Sequence, residues 1–186
     1  MRMHNARQAI HDAFALHDTS PGMAEGGGST KYDSDRAIFN GMKAGLIIRA
    51  VLNQRVYLRG CALLVNAADS VVNQEEVYAL KAKIWMEFLN RTNLNSRAQA
   101  EVMAISDELI LGHKFRCWDH LGNRFAVHAL AALAGRTDGA TKRIIHNSNQ
   151  FLDILTRIDN ESLKPVWDVI NDQREKYNAA NNATTA

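Results

Sequence analysis

The chain has 186 residues, 46% of them hydrophobic, and 22 basic against 20 acidic side chains give a formal net charge of +2. That length supports one sizeable core. Two cysteines exclude a disulfide-built scaffold, and no apolar run is long enough to cross a bilayer.

Alanine and leucine dominate the apolar set, there are only two prolines, and period-two alternation is nearly absent. Together these predict an all-α fold, a single multi-helix domain. The opening MRMHNARQAI carries no secretory apolar stretch, and free Cys61 and Cys117 suit a reducing compartment, so the expected location is the cytoplasm, with no membrane contact.

Residues 5–17 predict a short helix presenting Ile10, Phe14 and Leu16. Pro21 and the run Gly26, Gly27, Gly28 disfavour regular structure. Residues 1–32 are therefore expected to form a flexible arm and linker, disordered, docked on the body or reaching a partner. The helical domain is expected over 33–178. Ser34 or Asp35 caps its first helix, with Ala37, Ile38, Met42, Leu46 and Val51 inward. A second helix covers about 55–68. Asn73 with Glu76 forms a capping box ahead of Val77, Leu80, Ile84, Trp85 and Phe88. Asn95 or Ser96 caps a helix carrying Val102, Ile105, Leu109 and Ile110 that Gly112 stops, and a short helix holds Cys117 and Trp118. Asn160 or Ser162 begins a last helix with Pro165 in its first turn. NAANNATTA leaves residues 179–186 as a disordered tail.

Between them, residues 129–157 read as a helix-turn-helix. Ala131 and Gly135 stand at the spacing of the first helix and sharp turn, and Thr137 or Asp138 caps the second helix. On that helix Thr141, Ile144, Ile145, Ser148, Phe151, Leu152 and Leu155 share one side. Lys142, His146, Asn149, Gln150, Asp153 and Arg157 share the other, with Arg143 at its edge. Lysine and arginine suit phosphates, and arginine, asparagine and glutamine suit base edges. Arg136 replaces the apolar residue that usually anchors the turn and adds a cation to the set. Charge is also segregated: residues 113–157 carry a surplus of four positive charges, and residues 67–112 a deficit of three. The acidic block is read as a face for a protein partner.

His113, Cys117 and His120 fall at i, i+4 and i+7, one arc of a helix, with His128 as a fourth zinc donor. No Cys-x-x-Cys accompanies them and Trp118 marks a packed helix, so the reading taken is a core helix without metal or cofactor. Glu75, Glu76, Asp107 and Glu108 lack the Glu-x-x-His pairs of a two-metal site. No nucleophile elbow, phosphate loop or dinucleotide fingerprint is present, which argues against an enzyme.

From Arg55 onward the order of features resembles one family. KIWMEFLNR lies on a tryptophan-bearing helix, LAALAGRTDGATK follows as an alanine- and glycine-rich turn, and ESLKPVW opens the last helix. This pattern is similar to the phage late-gene antitermination proteins of the Q type, which act on RNA polymerase and promoter DNA. The zinc-binding cysteine cluster of some members has no counterpart here. The resemblance implies a DNA-reading role for Lys142, Arg143, His146, Asn149 and Gln150.

The resulting expectation is a non-enzymatic, DNA-binding transcription regulator. Its nucleic-acid site is Arg136, Lys142, Arg143, His146, Asn149 and Gln150, and its partners are duplex DNA, a protein such as RNA polymerase, or further copies of itself. The alternative is a helical interaction or assembly protein with a docking N-terminal arm.

Overall fold

The computed structural model describes residues 2–18, 31–67, 72–118 and 138–184. The fold is all-α, with no strand among the described residues. Seven helices are described: α1 (Arg2–Asp18), α2 (Lys31–Leu52), α3 (Val56–Asn66), α4 (Gln74–Arg91), α5 (Ser96–Met103), α6 (Ser106–Trp118) and α7 (Asp138–Thr184).

The organising element is α7. Its 47 residues, about 70 Å at helical rise, touch every one of the other six helices. The sequence suggests two helices here, broken near Asn160. The break does not form, and one of the two expected caps, Ser162, is used inside the helix. Ser162 is buried and its hydroxyl donates to the Asp159 carbonyl at 2.7 Å. Pro165 removes one backbone donor, and Gln54 donates to the neighbouring Ser162 carbonyl at 2.9 Å. Leu163 and Val166, both fully buried, anchor this stretch, and the helix continues through it. The helix then carries on to Thr184, past residue 178 where the sequence suggests that order ends.

Two apolar clusters flank α3 and α7. One gathers Leu58, Cys61, Leu80, Ile84, Phe88, Val102, Leu109, Phe151 and Ile158 from α3 to α7. Trp85, Phe88 and Phe151 meet edge to face within it, with ring centres 5.3 to 6.0 Å apart. The other gathers Ile10, Phe14, Ala44, Ile47, Val51, Leu63, Leu163 and Val166 from α1, α2, α3 and α7. The N-terminal segment is therefore no free arm over residues 2–18. It is a helix docked on its own body, because Ala6, Ile10, Ala13 and Phe14 form an apolar face that is buried. The glycine-rich segment, residues 19–30, lies outside the described residues.

The capping box of α4 forms as expected: Asn73 accepts from the Glu76 amide at 2.9 Å, and the Glu76 carboxylate accepts from the Asn73 amide. Asn95 caps α5 in the same way, accepting from the Ala98 amide at 2.9 Å. Three other expectations shift. In α2 the inward register is Ala44, Ile47 and Val51, which leaves Met42 (67% exposed) and Leu46 facing solvent. The helix expected from Asn95 to Gly112 breaks at Ala104–Ile105, where Ser106 donates to the Met103 carbonyl. Gly112 then sits inside α6; buried Leu109, Ile110 and His113 offset its cost of roughly 1 kcal/mol. Between α3 and α4 the backbones approach closely, since a Cβ added at Gly60 would lie 2.4 Å from the Glu76 carbonyl oxygen.

Candidate functional site

The segment that the sequence singles out begins α7. Ile144, Ser148, Phe151 and Leu155 are buried, while Lys142, Arg143, His146 and Asn149 are exposed and Gln150 is half-buried. Buried Asn147 joins the inward side, a position the helical projection did not include. Arg136, with Ala131, Gly135 and the rest of the expected first helix and turn, lies outside the described residues.

The outward cations are partly committed within the molecule. Arg143 donates to Glu101 at 3.4 Å, Arg157 donates to Glu87, and Gln150 donates to His146 at 2.9 Å. Glu87 and Glu101 belong to the acidic block of α4 and α5. Glu76 is taken by Arg59 and Asp107 by Lys81 as well. Glu76, Glu87 and Glu101 are thus turned inward against the chain's own cations, where the sequence suggests a free face, while Glu75, Asp107 and Glu108 stay exposed. The Glu87 carboxyl shows the effect: partial burial pushes its pKa up, but hydrogen bonds from Arg157 and Lys83 outweigh that and hold it below the ordinary glutamate value.

A second constellation lies between the two apolar clusters. Asp159 sits on α7 one residue beyond Ile158 of the first cluster and four before Leu163 of the second. Its carboxylate is fully buried. Arg7 of α1 donates to both its oxygens, at 3.1 and 2.5 Å, and to the Asn66 side chain of α3 at 2.9 Å. His113 Nε2 of α6 lies 2.9 Å from Asp159 Oδ2. Cys117 Sγ lies 3.5 Å from the same nitrogen and 3.7 Å from the same oxygen. Burial pushes the Asp159 pKa up, but the hydrogen bonds from His113 and Arg7 win and hold it below the usual aspartate value. Burial pushes the nearby Cys61 thiol well up.

One ring nitrogen faces both sulfur and carboxylate. A relay needs the two ring nitrogens to face base and nucleophile separately, so this arrangement is not the relay of a catalytic triad. Of the histidine–cysteine arc in the sequence, His113 and Cys117 are brought together; His120 and His128 lie outside the described residues. Asp159, Arg7 and Asn66 escaped sequence reasoning. Asp159 had a usable signal: it is four residues from both Leu155 and Leu163, so helical spacing puts a charge on the greasy side.

Two surfaces lie away from this constellation. A cavity of about 600 Å³ between α1, α2 and α7 has Ala9, Ile47, Val169 and Ile170 in its wall and Asp12, Lys43 and Arg174 around it. On α4, Tyr78 (66% exposed), Ala82, Met86 (64%) and Leu89 (44%) recur at helical spacing on the outward side. Comparison with protein-family models, with curated proteins and with solved structures finds no match for this chain.

Proposed function

We propose that this chain is a helical binding and assembly protein that pairs with a second copy of itself through the outward side of α4. The observation that carries the reading is the row Tyr78, Ala82, Met86 and Leu89, apolar and exposed on a helix whose opposite side is locked by Leu80, Ile84 and Phe88. Such a row costs solubility unless something covers it.

The row reads nearly the same in both directions. In an antiparallel pair about its centre, Tyr78 meets Leu89 and Ala82 meets Met86, which is the self-complementarity a two-fold interface needs. One helix pair buries less than the roughly 1,200 Å² of a stable interface, so the dimer is weak, with a dissociation constant on the order of micromolar.

Sedimentation velocity across a concentration series tests this. The expected result is a concentration-dependent monomer–dimer equilibrium that Met86→Glu abolishes with helix content unchanged. A wild-type mass that stays monomeric throughout overturns the reading.

A second reading is favoured by the first turns of α7, where Lys142, His146 and Asn149 stay outward while Ile144 and Phe151 anchor the helix. On it the chain is a transcription regulator contacting duplex DNA through Lys142, Arg143, His146, Asn149 and Gln150, with polymerase as the partner that the family resemblance implies. A gel shift with mixed duplex DNA at low salt separates the two. Lys142→Ala with Arg143→Ala should then weaken retention and flatten its salt dependence by about two counterions, and unchanged retention rejects this reading.

A further inference from the structure

We infer that His113, Cys117 and Asp159 form a zinc site that joins α6 to α7. An imidazole nitrogen, a thiol sulfur and a carboxylate oxygen converge within 4.8 Å of one another, and these are the three donor types zinc takes from proteins. Zinc bonds of about 2.0–2.3 Å at tetrahedral angles set donors about 3.3–3.7 Å apart. The Cys117–His113 and Cys117–Asp159 edges, at 3.5 and 3.7 Å, already have that size. The His113–Asp159 edge, at 2.9 Å, must open by roughly 0.4 Å to match it.

The topology suits the chemistry. Two donors one helical turn apart come from α6 and the third comes from a facing helix, which supplies the partner that the histidine–cysteine spacing alone lacked. Arg7 does not compete for the metal's place. A carboxylate oxygen has two lone pairs; Arg7 uses one on Oδ2, and the other serves the His113–Cys117 side. A ligand carboxylate steadied by an outer hydrogen bond is the usual arrangement around bound metal. Binding clears a proton from two donor atoms: the Cys117 thiol proton leaves to solvent, and the Nε2 proton that His113 gives to Asp159 leaves that nitrogen, the neutral imidazole keeping its proton on Nδ1; Asp159 is already ionised. No electron changes hands.

The test uses the full chain, expressed with added zinc and purified without chelator. Elemental analysis should find about one zinc per chain, and a strong chelator should remove it with a drop in melting temperature that added Zn²⁺ reverses. Cys117→Ser should cut the zinc content at least tenfold while circular dichroism shows retained helix. Because that variant could fail to fold, Co²⁺ titration of the wild-type chain provides an independent arm. A thiolate-to-cobalt charge-transfer band supports the site. Absence of stoichiometric zinc after reconstitution, absence of that band, or zinc retained in folded Cys117→Ser overturns it.

Discussion

Glycine 60 shows how one missing side chain sets the spacing of two helices. Its α-carbon faces the first turn of α4, and any Cβ there would meet backbone, which cannot swing aside. Gly60→Ala should therefore destabilise the fold by about 1–3 kcal/mol, as overpacking does, even though alanine is the better helix former. Urea unfolding at neutral pH checks this; a neutral or stabilising change would mean that α4 slides away freely. Nothing local in VYLRGCALLVN marks Gly60 as a contact point, since its reason lies 16 residues away in Glu76. Arg7 and Asn66 were hidden for the same cause. Each has an ordinary sequence neighbourhood, and only the docking of α1 on α3 and α7 brings Arg7 within hydrogen-bond distance of Asn66 and Asp159.

Elements whose signals are local were legible, and those decided by tertiary contact were not. The capping box at Asn73 and the cap at Asn95 need only four consecutive residues, and both form. Gly112 and Ser162 carry equally local stop and start signals, but buried neighbours on both sides override them. The register of α2 was misplaced because Met42 and Leu46 are as apolar as Ala44 and Ile47, so hydrophobicity alone could not choose the inward side. The ion pairs joining α4 to α7 also depend on packing, and they make a pH-dependent prediction. Glu87 titrates below its unfolded value. Its pairs with Arg157 and Lys83 therefore stabilise the fold fully above the ordinary glutamate range, near pH 4.3. The contribution fades as pH falls through the lower folded value. Glu87→Gln should cost no more than about 1 kcal/mol at pH 7, and the gap to wild type should close in acid. Urea midpoints for both proteins between pH 7 and pH 3 read this out; a gap that widens in acid contradicts the pairing.

The two apolar clusters share α3 and α7, and that sharing decides how the molecule comes apart. Leu58, Cys61 and Val65 of α3 face the first cluster while Ala62, Leu63 and Ala67 face the second. On α7, Phe151 to Ile158 serve the first, and Leu163 and Val166 the second. The buried set of Arg7, Asn66, His113 and Asp159 lies at the seam, so separating the clusters would strip partners from an ionised carboxylate and its guanidinium, a loss of about 3–5 kcal/mol. Neither cluster can then unfold alone without exposing half of two helices and the seam as well. Trp85 packs against the first cluster and Trp167 against the second, which makes them natural reporters. Variants retaining only one of these tryptophans, with Trp118 replaced in both, should give fluorescence transitions with coincident midpoints, as a two-state molecule does. Phe151→Ala, worth about 3–5 kcal/mol in its own cluster, should shift the Trp167 transition as far as the Trp85 transition. If the Trp167 signal keeps its wild-type midpoint while the Trp85 signal moves, the clusters are separable units, and the seam does not couple them.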